Sequence, residues 1–272
     1  MITSIQNQQI KNVQLLQKKS SERKSRGLFA VEGEKMFLEC LKYGTVAKVY
    51  FSESYYEHKK AEGKNYLNDG TIPEGTEAET VSDSCFKAMC ETVTPQGVIA
   101  LVKMPEYDTE KLINNASSLL VLEDLQDPGN LGTIMRTAEA AGMDGIILSD
   151  TSVDLYNPKT VRATMGAIFR MPAVYVKDIK ETVRTLNVKG FNTLAAHLSA
   201  THDYTKADYS GKTAVLIGNE GNGLSEELTA LAAEKIIIPM DGKAESLNAA
   251  VAAALCMYEI KRNRLYNPMS KC

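Results

Sequence analysis

The chain is poor in histidine, has no closely paired cysteines and nowhere runs apolar for long, and each shortage excludes a class of function. Three histidines among 272 residues and the absence of any Cys-x-x-Cys pair argue against a Cys/His metal centre, so no metal is expected. The five cysteines, Cys40, Cys85, Cys90, Cys256 and Cys272, are odd in number and point to reduced thiols rather than a disulfide framework. No apolar run approaches the roughly 20 residues that cross a bilayer. The start, Met1-Ile2-Thr3-Ser4-Ile5-Gln6, has no basic segment leading into an apolar stretch. A cytoplasmic protein with no membrane partner is expected. Neither a Gly-x-Gly-x-x-Gly fingerprint nor a Gly-Lys-Ser/Thr phosphate loop occurs, which disfavours a dinucleotide-dependent oxidoreductase. The net charge of −3 also lacks the basic excess usual for proteins that hold nucleic acid mainly by its phosphates.

One local exception stands against that balance. Between Lys11 and Arg26 the chain sets Lys11, Lys18, Lys19, Arg23, Lys24 and Arg26 against the single acid Glu22. This segment is either a solvated helix face or a patch that neutralises phosphates.

The length suits two domains. Residues 1–103 mix helical and strand patterns, with a helix over Gly33–Tyr43 and strands over Ala47–Phe51 and Gly97–Val102, and read as a small α/β domain. Lys103-Met104-Pro105-Glu106-Tyr107-Asp108 opens a linker, 104–115. Over 116–268, strands at Leu119–Leu122, Gly145–Leu148, Thr193–Ala196, Ala214–Ile217 and Lys235–Ile238 alternate with helical segments, which predicts a mostly parallel, doubly wound sheet. The last helix is expected from about Ala244, with Leu247, Val251, Ala254, Leu255 and Tyr258 on a buried face. That face serves either the chain's own core or a second protomer.

Three polar, glycine-bearing segments fall at strand ends: Asp127-Pro128-Gly129-Asn130-Leu131-Gly132 with Arg136, Gly218-Asn219-Glu220-Gly221-Asn222-Gly223, and Ile238-Pro239-Met240-Asp241-Gly242 running to Ser246-Leu247-Asn248. Ligands bind beyond the carboxyl ends of parallel strands, so convergence on one site is expected. Each segment also has a plain reading. Glycines supply turns, Asn130 sits where a helix N-cap is expected, and Ser246 could cap the last helix. Arg136 lies almost two turns into an apolar helix, where burial would demand a partner, with Glu220 the obvious candidate.

Taken together, Asn130-Leu131-Gly132-x-x-x-Arg136, Gly218-Asn219-Glu220-Gly221-x-Gly223-Leu224 and Ile238-Pro239-Met240-x-Gly242-x-x-x-Ser246-Leu247-Asn248 resemble the motifs of the SpoU/TrmH family of RNA ribose 2′-O-methyltransferases, in order. The stretch from Asn157 to Pro172 resembles the family's segment between the first and second motifs, with Thr164 where the family often has Ser. The resemblance covers about residues 115–262. The N-terminal region is more loosely similar to the substrate-binding domain of the family's ribosomal-RNA members.

The resemblance implies a deep trefoil knot, S-adenosylmethionine as methyl donor, RNA as substrate, and a homodimer formed through the catalytic domain with the active site near the interface. It implies that Gly218, Asn219, Ile238, Met240, Leu247 and Asn248 bind the donor and that Asn130, Arg136, Glu220, Ser246 and Asn248 surround the reacting centre. The extra domain favours 23S ribosomal RNA over transfer RNA. Lys18, Lys19, Arg23, Lys24 and Arg26 are expected to capture that RNA, since a net-negative enzyme needs local basic surface. A catalytically silent RNA-binding protein of the same fold is the alternative.

Overall fold

A computed structural model describes residues 1–266. Cys272 and positions 267 and 268, the end of the expected catalytic domain, lie outside the described residues. The described residues divide into two compact units, Met1–Glu106 with Tyr156–Phe169, and Tyr107–Leu155 with 170–266.

The first unit runs α1 (Gln8–Lys18), α2 (Ser20–Arg26), β1 (Leu28–Glu32), α3 (Glu34–Tyr43), β2 (Val46–Ser52), α4 (Glu53–Ala61), β3 (Glu77–Val81), α5 (Asp83–Met89) and β4 (Val98–Lys103). Its sheet has the order β1-β4-β2-β3, with β4 antiparallel to both neighbours and β2 parallel to β3. Ile10, Val13 and Leu16 of α1 and Phe86 and Met89 of α5 cover one face, against Tyr50, Ile99 and Leu101. Their spacing at i, i+3 and i+6 gives α1 its single buried stripe.

The second unit opens with α6 (Thr109–Asn115), β5 (Ser118–Leu122), α7 (Pro128–Ala141) and β6 (Gly145–Ser149). The chain then contributes α8 (Pro158–Ala163) to the first unit, where Tyr156 and Phe169 meet Phe29 at ring-centroid distances of 4.8 and 6.2 Å. It continues through β7 (Ala173–Val176), α9 (Ile179–Val188), β8 (Asn192–Ala196), β9 (His202–Asp203), β10 (Thr213–Ile217), α10 (Glu226–Leu231), β11 (Glu234–Ile237) and α11 (Ala249–Tyr266).

Seven strands pair in parallel in the order β7-β6-β5-β10-β8-β11-β9. β5, β6 and β10 are buried at every position, as expected of strands covered on both faces. One face packs Leu119, Val121 and Leu216 against Val183 and Leu186 of α9 and Leu228 of α10. On the other, α11 packs against α7, β10 and β5. The expected α/β class and parallel sheet are therefore present. After β11, which lies two strands from β10, the chain returns to lay α11 beside α7. A knotted topology requires that return path.

The last helix begins at Ala249 rather than near Ala244, because Asn248 caps it: its Oδ1 accepts from Ala250 N and Val251 N at 2.9 and 3.3 Å. Its buried face also differs from the expected one. Ala249, Ala250, Ala253, Cys256, Met257 and Ile260 face the core, while Val251, Leu255 and Tyr258 are 48%, 36% and 48% exposed.

Candidate active site

The sheet order reverses between β5 and β10, the switch point where a ligand crevice forms in a doubly wound sheet. The loops leaving these two strands, 123–127 and 218–225, are bonded to each other along their length. Glu123 N donates to the Ile217 carbonyl at 2.9 Å, and the Glu123 carboxylate accepts from Ser225 N and Oγ, both at 2.7 Å. Asn219 Nδ2 donates to the Asp124 carbonyl at 2.8 Å, with Asp124 in the left-handed region at φ 57. Asn219 Oδ1 accepts from Gly221 N and Asn222 N at 2.8 and 3.0 Å, and Asn219 and Gly223 exchange two main-chain bonds.

This closure explains the first glycine of its motif. A Cβ on Gly218 would lie 2.1 Å from both the Gly223 carbonyl carbon and the Leu224 nitrogen, so no larger residue fits the fold-back. At Gly221 a Cβ would meet only Asn219 Oδ1, at 3.5 Å.

Asn130 does not cap α7 as the sequence suggested. Asp127 does, its Oδ1 accepting from Asn130 N at 2.8 Å, with Pro128 in the first turn, where its missing N–H costs nothing. The Asn130 side chain is thereby free for longer-range bonds. Its Nδ2 donates to Glu220 Oε1 at 3.0 Å and its Oδ1 accepts from Asn248 Nδ2 at 3.0 Å. Glu220 also accepts from Gln126 N at 3.0 Å and Asp127 N at 2.9 Å. Burial disfavours the ionised Glu220 carboxyl, yet the donors on Gln126, Asn130 and Asp127 outweigh it and hold its pKa below the ordinary glutamate value. A continuous bonded chain thus joins Glu220, Asn130, Asn248 and the start of α11.

Beside it lies a cavity of about 320 Å³, within the roughly 300–1,000 Å³ typical of small-molecule sites. It is lined by Ile217, Ile236, Ile238, Leu247 and Ala252, with Gly218, Asn219 and Met240. Among the described residues no Lys or Arg lines it, and the charged side chains there are Glu220 and Glu245. Apolar walls and main-chain groups suit a purine, and acids without opposing cations suit a sulfonium, so these residues fit S-adenosylmethionine. Asn248 lies outside this cavity, in an adjoining depression lined by Gln126, Asp127, Asn130, Glu220, Ser246, Leu247 and Ala249. Glu220, Ser246, Leu247 and Ala249 line both spaces.

Arg136 is exposed on α7 rather than buried, and it forms no ion pair with Glu220, whose bonds are taken by Gln126, Asp127 and Asn130. Its helix turns it away from the apolar stripe of Leu131, Ile134, Met135 and Ala138. In the first unit, Lys18, Lys19, Lys24 and Arg26 are exposed, and Arg26 pairs with Glu22 at 3.0 Å. Arg23, expected on the same accessible face, is 3% exposed. It turns inward because its Nη1 donates to the Leu16 and Gln17 carbonyls at 2.7 and 3.0 Å, satisfying the end of α1.

Sequence reading missed Glu123, Asp124, Gln126 and Ser225 as loop ties and Asp127 as the cap. Asp-Pro at a helix start was the available signal for the last; the ties join residues about 100 positions apart, which no local pattern encodes.

The sequence profile of the SpoU rRNA Methylase family matches residues 117–258, and that of the MRM3-like substrate binding domain matches residues 7–100. The 23S rRNA (guanosine(2553)-2′-O)-methyltransferase RlmP of Bacillus subtilis is 34% identical over 264 residues, 96% of this chain and 98% of that protein. An AdoMet-bound rRNA methyltransferase from Sinorhizobium meliloti superposes with a TM-score of 0.82 at 29% identity, over 96% of this chain and 97% of that one. The SpoU methyltransferase AviRb of Streptomyces viridochromogenes, in complex with AdoMet, gives 0.82 at 28% identity, over 96% and 99%. With the family profile spanning half of the chain and a relative similar over nearly all of it, this protein belongs to the SpoU rRNA methylase family.

Proposed function

We propose that the protein transfers a methyl group from S-adenosylmethionine to a ribose 2′-hydroxyl of 23S ribosomal RNA in the cytoplasm. The observation that carries this reading is the bonded chain Glu220–Asn130–Asn248 at the seam between the cavity and the outer depression. A donor inside and a nucleotide outside would meet there. Similarity to a 23S enzyme over nearly the whole of both chains supports the substrate.

Bound S-adenosylmethionine supplies a methyl carbon that is already electrophilic. The protein's part is alignment and proton management. Gly218, Asn219, Ile238, Met240 and Leu247 hold the donor, Asn248 and Ser246 border the incoming nucleotide, and Glu220 fixes the Asn130 amide so that its orientation is set on both sides. A guanidinium is not a usable proton acceptor, so Arg136 is not the base. Its role is to grip a phosphate or to stabilise the alkoxide that forms as the 2′-hydroxyl loses its proton. Being exposed, it can serve a site completed by a second protomer. The exposed stripe of Val251, Leu255 and Tyr258 on α11 supports a homodimer through this unit, since three apolar side chains at i, i+4 and i+7 make one continuous face.

Residues 1–103 act as the RNA-binding domain, joined through 104–115 to the catalytic domain 116–268. Lys18, Lys19, Lys24 and Arg26 contact phosphates, and Arg23 supports their helix from within.

The test is to map 2′-O-methyl sites in ribosomal and transfer RNA from cells with and without the gene, then to methylate the affected RNA in vitro. Loss of one 23S site, restored by the purified protein, is the expected result. A change confined to transfer RNA would overturn the substrate, and no change in either RNA would favour a silent RNA-binding role. In the same assay Arg136→Ala should abolish turnover without altering the melting temperature. Arg136→Lys retains part of it if charge alone matters, and as little as Ala if the planar fork is required.

A further inference from the structure

His197 stands where β8 ends, and its ring is held by its own turn. His197 N donates to the Ile236 carbonyl and Ala200 N to the His197 carbonyl, at 3.0 and 3.1 Å. Within that turn Ser199 N donates to His197 Nδ1 at 3.1 Å, and Ser199 Oγ lies 2.8 Å from the same nitrogen. A backbone N–H can only donate, so Nδ1 is an acceptor and the neutral ring carries its proton on Nε2. That leaves Nε2–H as a fixed donor on a residue lining the cavity.

The donor reading proposed above limits what this group can meet. The transferred methyl must sit at the seam lined by Glu220, Ser246 and Leu247, which border both spaces. His197 and its neighbour Leu198, 57% exposed, border the inner cavity alone, so they face a part of the donor remote from the methyl. With no Lys or Arg among the described residues of its lining, the cavity is poorly suited to the methionine carboxylate and better suited to the neutral adenosine half. We infer that His197 is a donor-binding residue whose Nε2–H hydrogen-bonds a ribose hydroxyl of the adenosine half of S-adenosylmethionine. The turn at Ser199 sets the direction of that bond, and Leu198 is covered when the ligand is seated.

The experiment is calorimetric titration of the full-length protein, wild type, His197→Asn and His197→Gln, with S-adenosylhomocysteine, 5′-methylthioadenosine and the 2′,3′-dideoxy form of the latter. Asn keeps an acceptor for Ser199 N, as Asn does in short turns, but has no group at the Nε2 position. Gln restores a donor near that position and loses the acceptor. Expected for His197→Asn is about threefold to tenfold weaker binding of S-adenosylhomocysteine and 5′-methylthioadenosine alike, equal binding of the dideoxy compound by wild type and variant, and partial recovery in His197→Gln. Melting temperatures of the ligand-free proteins should agree, separating binding from folding.

Unchanged affinity in His197→Asn overturns the inference. So does a loss confined to S-adenosylhomocysteine, which would place the bond at the amino-acid end. If the wild type binds none of the three, the donor reading itself fails, an outcome distinct from failure at His197.

Discussion

Asn130 and Glu220, 90 positions apart in sequence, are joined by a 3.0 Å bond from Asn130 Nδ2 to Glu220 Oε1. The bond fixes which end of the Asn130 amide faces which neighbour, leaving Oδ1 to accept from Asn248. One amide therefore links the loop after β10 to the cap of the last helix. Asp cannot replace it, since a second carboxylate would face Glu220. Asn130→Asp should destabilise the fold by about 1–3 kcal/mol and abolish most methylation, whereas Asp127→Ala, which removes the true cap of α7, should cost about 1 kcal/mol. Chemical denaturation and methyl transfer to the RNA check both; full turnover in Asn130→Asp would leave the amide without a role.

The depressed pKa of Glu220 has a defined consequence for pH. An acid whose folded value lies below its ordinary value of 4.5 contributes stability that is fully present above the ordinary value and is lost as pH falls through the folded value. Wild-type melting temperature should therefore fall on acidification below about pH 4.5. Glu220→Gln should be less stable at neutral pH and lose less over the acid range. Parallel curves for the two proteins would count against this.

Gly218 and Gly221 separate packing from permissiveness. Gly218→Ala puts a methyl group 2.1 Å from backbone atoms, so the 218–225 loop must open, and affinity for S-adenosylhomocysteine should fall at least about tenfold, or about 1.4 kcal/mol. Gly221→Ala meets one side-chain oxygen at ordinary contact distance and should bind nearly as wild type. Calorimetric Kd values for the two variants decide it.

The basic segment should divide into two behaviours. Arg23→Ala removes the donors that satisfy the end of α1 and should lower stability by about 1.5–3 kcal/mol. Replacing Lys18, Lys19 and Lys24 together by Gln should change stability by less than about 0.5 kcal/mol per residue, weaken RNA binding and flatten its salt dependence. RNA affinity measured at several salt concentrations, beside a melting curve, distinguishes the two.

Much of this protein could be read from its sequence, for physical reasons. The unbroken apolar runs Leu119–Leu122 and Ala214–Ile217 announce central parallel strands, because only strands covered on both faces stay apolar at every position. The three motifs carry their own spacing, so the family and the chemistry of methyl transfer were legible, as was the clustering of Gly218, Ile238 and Leu247 at strand ends.

Only the tertiary structure decided which of several equally polar neighbours does what. A helix pattern gives a period but not its phase against the rest of the chain, so it could not tell that Arg136, Val251, Leu255 and Tyr258 face outward. Nor could it tell that Arg23 turns in to meet carbonyls six and seven residues earlier. Asp127 and Asn130 are both good caps by propensity. The choice between them falls to Glu220 and Asn248, which reach Asn130 from 90 and 118 residues away and hold its side chain in bonds that a cap would have used up.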